Sequence, residues 1–309
     1  MSSLLPVHAA AHIESGLTEY LTTSFSLADD ITAGRLAEFL TDPESGMFHG
    51  PYVRTSLPYA PSDDWEGVLD WLPQGFVPYR HQAQAFERLA STRDGMARRP
   101  EPTLVITGTG SGKTESFLYP ILDHCRRSSE RGIKALLLYP MNALANDQAG
   151  RLAELITKHP ELKGVTAGIY TGEQAGQSAT RDSKDSLITD RYHIRANPPD
   201  ILLTNYKMLD QMLIRDADRG IWEASATTLQ YLVLDEFHTY DGAQGTDVAL
   251  LLRRLGLMLR NCQPEGYLTD LPGAQDRPLG KVTPVATSAT LGGEGDASSM
   301  LRFAHTIFG

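Results

Sequence analysis

The stretch LVITGTGSGKTESFLYPILDHCRR, residues 104–127, decides the fold. LVIT reads as a short buried strand, and the residues from Thr114 to Arg127 read as a helix. A Gly-rich turn between a strand and a helix lets backbone N–H groups converge on an anion, and the helix N-terminus adds partial positive charge. Gly108, Gly110 and Gly112 stand where a Cβ would block that approach or where φ must be positive. Thr109 and Ser111 complete the cradle, Lys113 reaches for β- and γ-phosphates, and the Thr114 hydroxyl is placed to ligate Mg²⁺. A plain flexible turn and a dinucleotide fingerprint are the other readings, since GTGSG superficially matches GxGxxG. The Lys-Thr pair has no role in a dinucleotide turn, which favours a triphosphate site, although Thr107 stands where the strict pattern asks for glycine.

Outward from this turn, short apolar runs alternate with helical stretches. LVIT (104–107), KALLLY (134–139), TAGIY (166–170), DILLT (200–204), YLVLD (231–235) and VATS (285–288) are continuous in hydrophobicity, as strands buried on both faces are. Helices are expected at Thr114–Arg127, Asn142–His159 and Thr246–Arg260. The pattern is that of an α/β protein with a parallel sheet. Glu173–Pro199 and Gln263–Lys281 read as long surface loops. Residues 12–40 have helical periodicity, with a second helix starting at Ser26 or Asp29, and Thr41–Asp64 is Pro- and Gly-rich connector. An accessory segment over 1–70 and one large domain over 71–309 are therefore expected.

Composition limits the function classes. The 309 residues carry 28 Lys+Arg and 38 Asp+Glu, a formal charge of −10, which excludes polybasic proteins that hold nucleic acid by bulk charge. With 41% hydrophobic and 21% charged residues the chain can build a core. The two cysteines, Cys125 and Cys262, lack the spacing of a disulfide framework or zinc site and are expected to be reduced and buried. The N-terminus lacks a basic region ahead of an apolar one, and no run approaches the ~18 apolar residues of a membrane span, so a cytoplasmic protein without membrane contact is expected.

YLVL runs into Asp235-Glu236-Phe237-His238. Two carboxylates at the C-terminal end of a parallel strand lie at the edge where open α/β sheets bind ligands. Alone, such a pair is an ordinary strand end. Joined to the phosphate loop, it divides into an Asp235 that holds Mg²⁺ and a Glu236 that orients and deprotonates the attacking water.

From about Phe76 to Leu291 the chain resembles the superfamily 2 helicases, whose phosphate loops begin with Ala or Thr as this one does with Thr107. The resemblance implies a RecA-like P-loop fold. It makes VPYRHQAQAF the adenine-reading element, with Gln82 as the base-reading amide and Tyr79 and Arg80 beside it. YPMNALANDQ, with Pro140, Asn142, Leu144 and Gln148, is similar to the first strand-contact motif. YTG with Thr171 and Gly172, and TNYKML with Thr204 and Asn205, stand where further nucleic-acid contacts are expected. Ser288-Ala289-Thr290 resembles the motif that relays nucleotide state, with His238 as its coupling partner. DEFHTYDGAQG and the helix ending LRRL resemble the MrfA-type DNA helicases and large bacterial helicases of phage-defence loci, which makes DNA the expected substrate over RNA.

Such helicases use two RecA-like lobes, and the second supplies arginines to the γ-phosphate in a Q-x-x-G-R-x-G-R motif that these 309 residues lack. The expected function is the ATP-binding lobe of an ATP-dependent DNA helicase or translocase, weak or inactive alone, with a second lobe in cis or trans. Two alternatives stay open: a non-hydrolysing ATP- and DNA-binding module, and a restriction-type double-strand translocase. The doublets Arg98-Arg99, Arg126-Arg127 and Arg253-Arg254 are read as solvated helix ends, His238 as coupling, and Trp65, Trp71 and Trp222 as packing residues.

Overall fold

The computed structural model describes residues 6–26, 34–48, 58–62, 65, 68–73, 75–172, 187–289 and 297–309. By its internal contacts the chain forms two units, Met1–Pro58 and Tyr59–Gly309. The first contains α1 (Pro6–Ser24) and α2 (Arg35–Thr41). The second helix starts at Arg35, behind Gly34 at φ 101°, rather than at Ser26; Asp29 lies outside the described residues. The division falls before residue 70 because Leu69 and Trp71 are buried in the core of the second unit, where Asp70 pairs with Arg126 and Arg127.

The second unit runs α3 (Arg80–Leu89), a ribbon of β1 (Thr92–Arg93) and β2 (Met96–Ala97), β3 (Thr103–Ile106), α4 (Lys113–Arg127), β4 (Ala135–Tyr139), α5 (Asn142–Lys158), β5 (Ala167–Tyr170), β6 (Leu187–Ile188), α6 (Arg191–Ala196), β7 (Ile201–Asn205), α7 (Tyr206–Ile214), α8 (Arg219–Ser225), β8 (Tyr231–Leu234), α9 (Gly242–Cys262), β9 (Thr283–Ser288) and α10 (Ala297–Phe308). Seven strands form one parallel sheet in the order β3-β9-β8-β4-β7-β5-β6. All six strands read from the sequence are in it. The seventh, β6, pairs only two residues with β5 and lies with α6 in a stretch read as loop, too short to leave a periodic signal. The other stretch read as loop, Gln263–Lys281, is a series of turns in which Ala274 and Leu279 are buried.

Alternation along the strands sorts the core into two layers. Leu136, Leu138, Leu202, Leu232 and Leu234 face a cluster built with α7, α8, α9 and α10. Ala135, Leu137, Tyr139, Ile201, Leu203, Tyr231 and Val233 face a second cluster with α3, α4 and α5. Burial on both sides explains why the strands read as unbroken apolar runs.

The two ends of the sheet differ in chemistry. At the end where the strands begin, buried Lys134 donates to Asp200 at 2.6 Å, and Asp200 also accepts from the Thr166 amide and hydroxyl at 2.7 and 2.8 Å. The strands' C-terminal ends carry the phosphate loop, Asp235, Ser288, Pro140, Asn205 and Thr171.

The basic doublets are tertiary ties rather than solvated ends. Arg126 and Arg127 both grip Asp123, whose side chain is buried under α4, and Arg253 donates to the Ile307 and Thr306 carbonyls that end α10. Arg99 holds the Lys281 carbonyl at 2.8 Å, and Arg98 pairs with Glu87 and Glu101. Trp71 and Trp222 are buried and half-buried Trp65 packs edge-on against Phe86. Cys125 is buried, whereas Cys262 is only partly covered. Among the described residues no helix is long and apolar enough to cross a membrane.

Candidate active site

β3 delivers the chain to Thr107 at the sheet edge, where the Thr107 amide donates to the Ser288 carbonyl at 3.2 Å and so anchors the start of the loop on β9. Gly110 and Gly112 have φ of 73° and 75°, the left-handed region that side chains resist. Gly112 is further constrained: a Cβ there would meet Gln82 Nε2 at 2.3 Å. The loop passes into α4 at Lys113, whose Nζ donates to the Thr107 carbonyl at 3.4 Å. Ser111 is buried and shares a hydrogen bond with the Thr107 hydroxyl.

The loop floors a cleft of about 590 Å³ whose lining includes Thr109 to Glu115, Gln82, Tyr79, Phe76, Tyr119, Arg151 and Glu236. Gln82 is buried with both ends engaged: Oε1 accepts from the Tyr79 amide at 2.9 Å, and Nε2 donates to the Gly112 carbonyl at 3.1 Å. Gln82, expected from the sequence as the base-reading amide, ties α3 to the phosphate loop. Arg80 is exposed and is not part of the cleft lining, because it begins α3 on the side away from it. Arg151, held by Glu115 at 2.9 Å, and Tyr119 enter the cleft from α5 and α4, and no motif marked either.

Asp235 follows β8 directly and is 5% exposed. Burial raises its pKa above the ordinary carboxylate value; the Thr287 hydroxyl and the Glu236 amide oppose that rise. Both hydrogen bonds fall on Oδ1, from Thr287 and, at 3.0 Å, from the Glu236 N–H. Glu236 takes φ 50°, a left-handed conformation costly for a side-chain-bearing residue, and its carbonyl is pinned by the Thr239 amide and hydroxyl at 2.8 and 2.7 Å. That turn places Glu236 in the cleft wall opposite the phosphate loop.

Among the described residues no group of three or more His, Cys, Asp or Glu side chains could hold a metal alone. Mg²⁺ keeps waters and takes one or two protein oxygens beside substrate phosphates, and the hard donors Thr114 and Asp235 fit that need. The residues expected to couple also meet: His238 Nδ1 is 3.2 Å from Ser288 Oγ and 3.5 Å from Glu236 Oε2. Thr290 lies outside the described residues.

The expected nucleic-acid contacts divide. Pro140, Asn142 and Gly172 are accessible just past their strands, and Asn205 joins Asn142 through its Nδ2 while capping α7 at the Met208 amide, 2.7 Å. Thr171, Thr204 and Gln148 are instead interior. The Thr204 hydroxyl donates to the Tyr170 carbonyl at 2.6 Å, tying β7 to β5, so its side chain supports the surface from below. Met141, 65% exposed, stands just before α5, and Tyr192, 80% exposed, lies in the first turn of α6.

A phosphate loop and an acidic pair brought together on one parallel sheet, with a histidine and serine bridging to the next strand, define a RecA-like P-loop domain. The chain belongs to the DEAD/DEAH box helicase family, whose profile matches residues 79–295. It is similar to the Druantia protein DruE of Escherichia coli, 27% identical over 411 aligned positions that take in 96% of this chain and 21% of DruE. The ATP-dependent helicase hrq1 of Schizosaccharomyces pombe is 30% identical over 57% of this chain and 14% of its own length. The crystal structure of the DUF1998 helicase MrfA matches 80% of this chain and 32% of that protein, at 25% identity and a TM-score of 0.51. The chain thus spans about a fifth or less of the two curated relatives' length.

Proposed function

We propose that this chain is the ATP-binding lobe of an ATP-dependent DNA helicase or translocase. The carrying observation is that the phosphate loop and Glu236 line one cleft, with buried Asp235 directly before Glu236, and that the sheet edge continues, over β4, β7 and β5, into the accessible loops at Pro140, Asn142 and Gly172. In this reading the cradle amides and Lys113 hold the phosphates, Thr114 and Asp235 hold Mg²⁺, and Glu236 orients the water. Bound Mg²⁺ neutralises charge on the phosphates during transfer. DNA as the track is supported by MrfA, which has been crystallised bound to DNA and shares this fold. Held by its phosphates, a strand needs only the amides and hydroxyls of the rim. A role in phage defence, with DNA repair as the second setting, rests on the resemblance that DEFHTYDGAQG carries to helicases of phage-defence loci. A cytoplasmic location is the reading consistent with these roles.

A second lobe, in cis or trans, would supply the arginines that speed hydrolysis by roughly 10³- to 10⁵-fold where such fingers have been dissected. The chain alone should bind ATP and hydrolyse it slowly. DNA-stimulated ATPase of the isolated chain tests this: turnover of roughly 1 s⁻¹ or faster, abolished by Lys113→Ala, means the lobe needs no partner. A tailed duplex left intact while a triplex is stripped would identify the restriction-type translocase instead.

A further inference from the structure

We infer that His81 is a positioning residue that pre-orients the phosphate loop's anion-binding amides from behind. This deepens the reading of the cleft as a triphosphate site and rests on it. His81 stands in the first turn of α3, with its Nε2 2.9 Å from the Ser111 carbonyl. A carbonyl only accepts, so the proton is on Nε2. Next to it, Gln82 Nε2 donates to the following carbonyl, that of Gly112, at 3.1 Å.

In a planar trans peptide the C=O and the next N–H point in opposite directions. Fixing the Ser111 and Gly112 carbonyls toward α3 therefore turns the Gly112 and Lys113 N–H groups the other way, toward the phosphates. The imidazole is itself held in place. Tyr79 stacks on it at 5.9 Å between centroids and 16° between planes, and Tyr59 meets its edge at 5.6 Å. The Tyr59 hydroxyl also donates to the Thr109 carbonyl at 3.4 Å, so this aromatic cluster grips two carbonyls of one short loop and the neighbouring Gln82 grips a third. The consequence is an anion site built before its ligand arrives, in which less freedom is lost on binding.

The test uses the full chain and competition of inorganic tripolyphosphate, ATP and GTP against a fluorescent ADP. His81→Phe keeps the stack on Tyr79 and removes the donor; His81→Gln restores a donor at nearly the same reach. The Phe variant should weaken tripolyphosphate and ATP by the same factor, roughly five- to tenfold, with the ATP-to-GTP ratio unchanged and the Gln variant recovering most of the loss. His81→Asn, a methylene shorter than Gln, should behave like Phe and serves as the second variant if Phe folds poorly by thermal melting. Unchanged tripolyphosphate affinity in a folded Phe or Asn variant overturns the inference, as does a loss confined to ATP, which would place His81 in base recognition. Failure of the wild-type chain to bind either ATP or tripolyphosphate would overturn the nucleotide reading itself.

Discussion

Thr287→Val removes one hydroxyl from the fully buried end of β9 and nearly nothing else, since the two side chains share a shape. In the native chain that hydroxyl and the Glu236 amide are the donors to Asp235 Oδ1. A hydrogen bond to a charged group contributes about 1.5–3 kcal/mol, and the extra methyl returns about 0.8 kcal/mol by burial. The net loss is about 1–2 kcal/mol, or roughly 2–8 °C in Tm for a domain of this size. The pH dependence has a definite sign. Asp235's folded pKa is raised, chiefly by burial, so its ionised form opposes folding above that pKa, and removing Thr287 raises the pKa further. The deficit of the Val variant should be largest at pH 7–8 and shrink as pH falls and Asp235 takes up a proton. A second readout is the Mg²⁺ dependence of nucleotide binding, whose midpoint should rise roughly tenfold because Asp235 is no longer oriented. Thr287→Ser should restore both. Thermal melts across pH and Mg²⁺ titrations measure them; a Tm difference that is absent or independent of pH would refute the reasoning.

Lys113→Ala should lower ATPase by at least about a hundredfold and change Tm little, since among the described residues the Nζ makes only a 3.4 Å contact, with Thr107; turnover and melting of the same sample check it. His124, packed edge-on against Tyr231, has its pKa lowered to about 4 by burial and by Lys134. Its folded pKa lies below the unfolded 6.5, so about 3 kcal/mol of stability present above pH 6.5 is lost as pH falls toward 4; His124→Gln should flatten that part of the denaturation profile. Lys134→Met strands the Asp200 carboxylate and should cost about 3–5 kcal/mol in urea unfolding, with most of it recovered when Asp200→Asn is added.

What the sequence made legible follows from physical signals. Strands buried on both faces must be apolar throughout, so all six that were expected are present, and Gly110 and Gly112 occupy left-handed positions that a phosphate cradle needs. Which face each strand residue meets was not legible, because Leu136 and Leu137 carry the same hydrophobicity into opposite layers. Side-chain destinations were hidden for a related reason. Thr204 in a contact motif and Thr287 in a strand are alike in sequence, yet one ties two strands and the other orients a carboxylate. Arg80 was expected beside Gln82 in function, but residues two apart on a helix project roughly 200° apart: Gln82 and His81 reach the loop, whereas Arg80 is exposed outside the cleft lining.

Among the described residues β3 is joined to the sheet only through β9, the last of its strands in chain order, with Ile106 opposite Ser288. On the ribosome the phosphate-loop strand must therefore wait for roughly 180 further residues, or roughly 10–40 s at about 5–20 residues per second. Once β8 has been made, it too lacks its β9 neighbour for the last roughly 50 residues of that interval, and two apolar strand edges are then open to mispairing. The nucleotide cradle is consequently among the last parts of this domain to be born, and slow synthesis or a chaperone on the open slot should govern yield more than the stability of the finished fold.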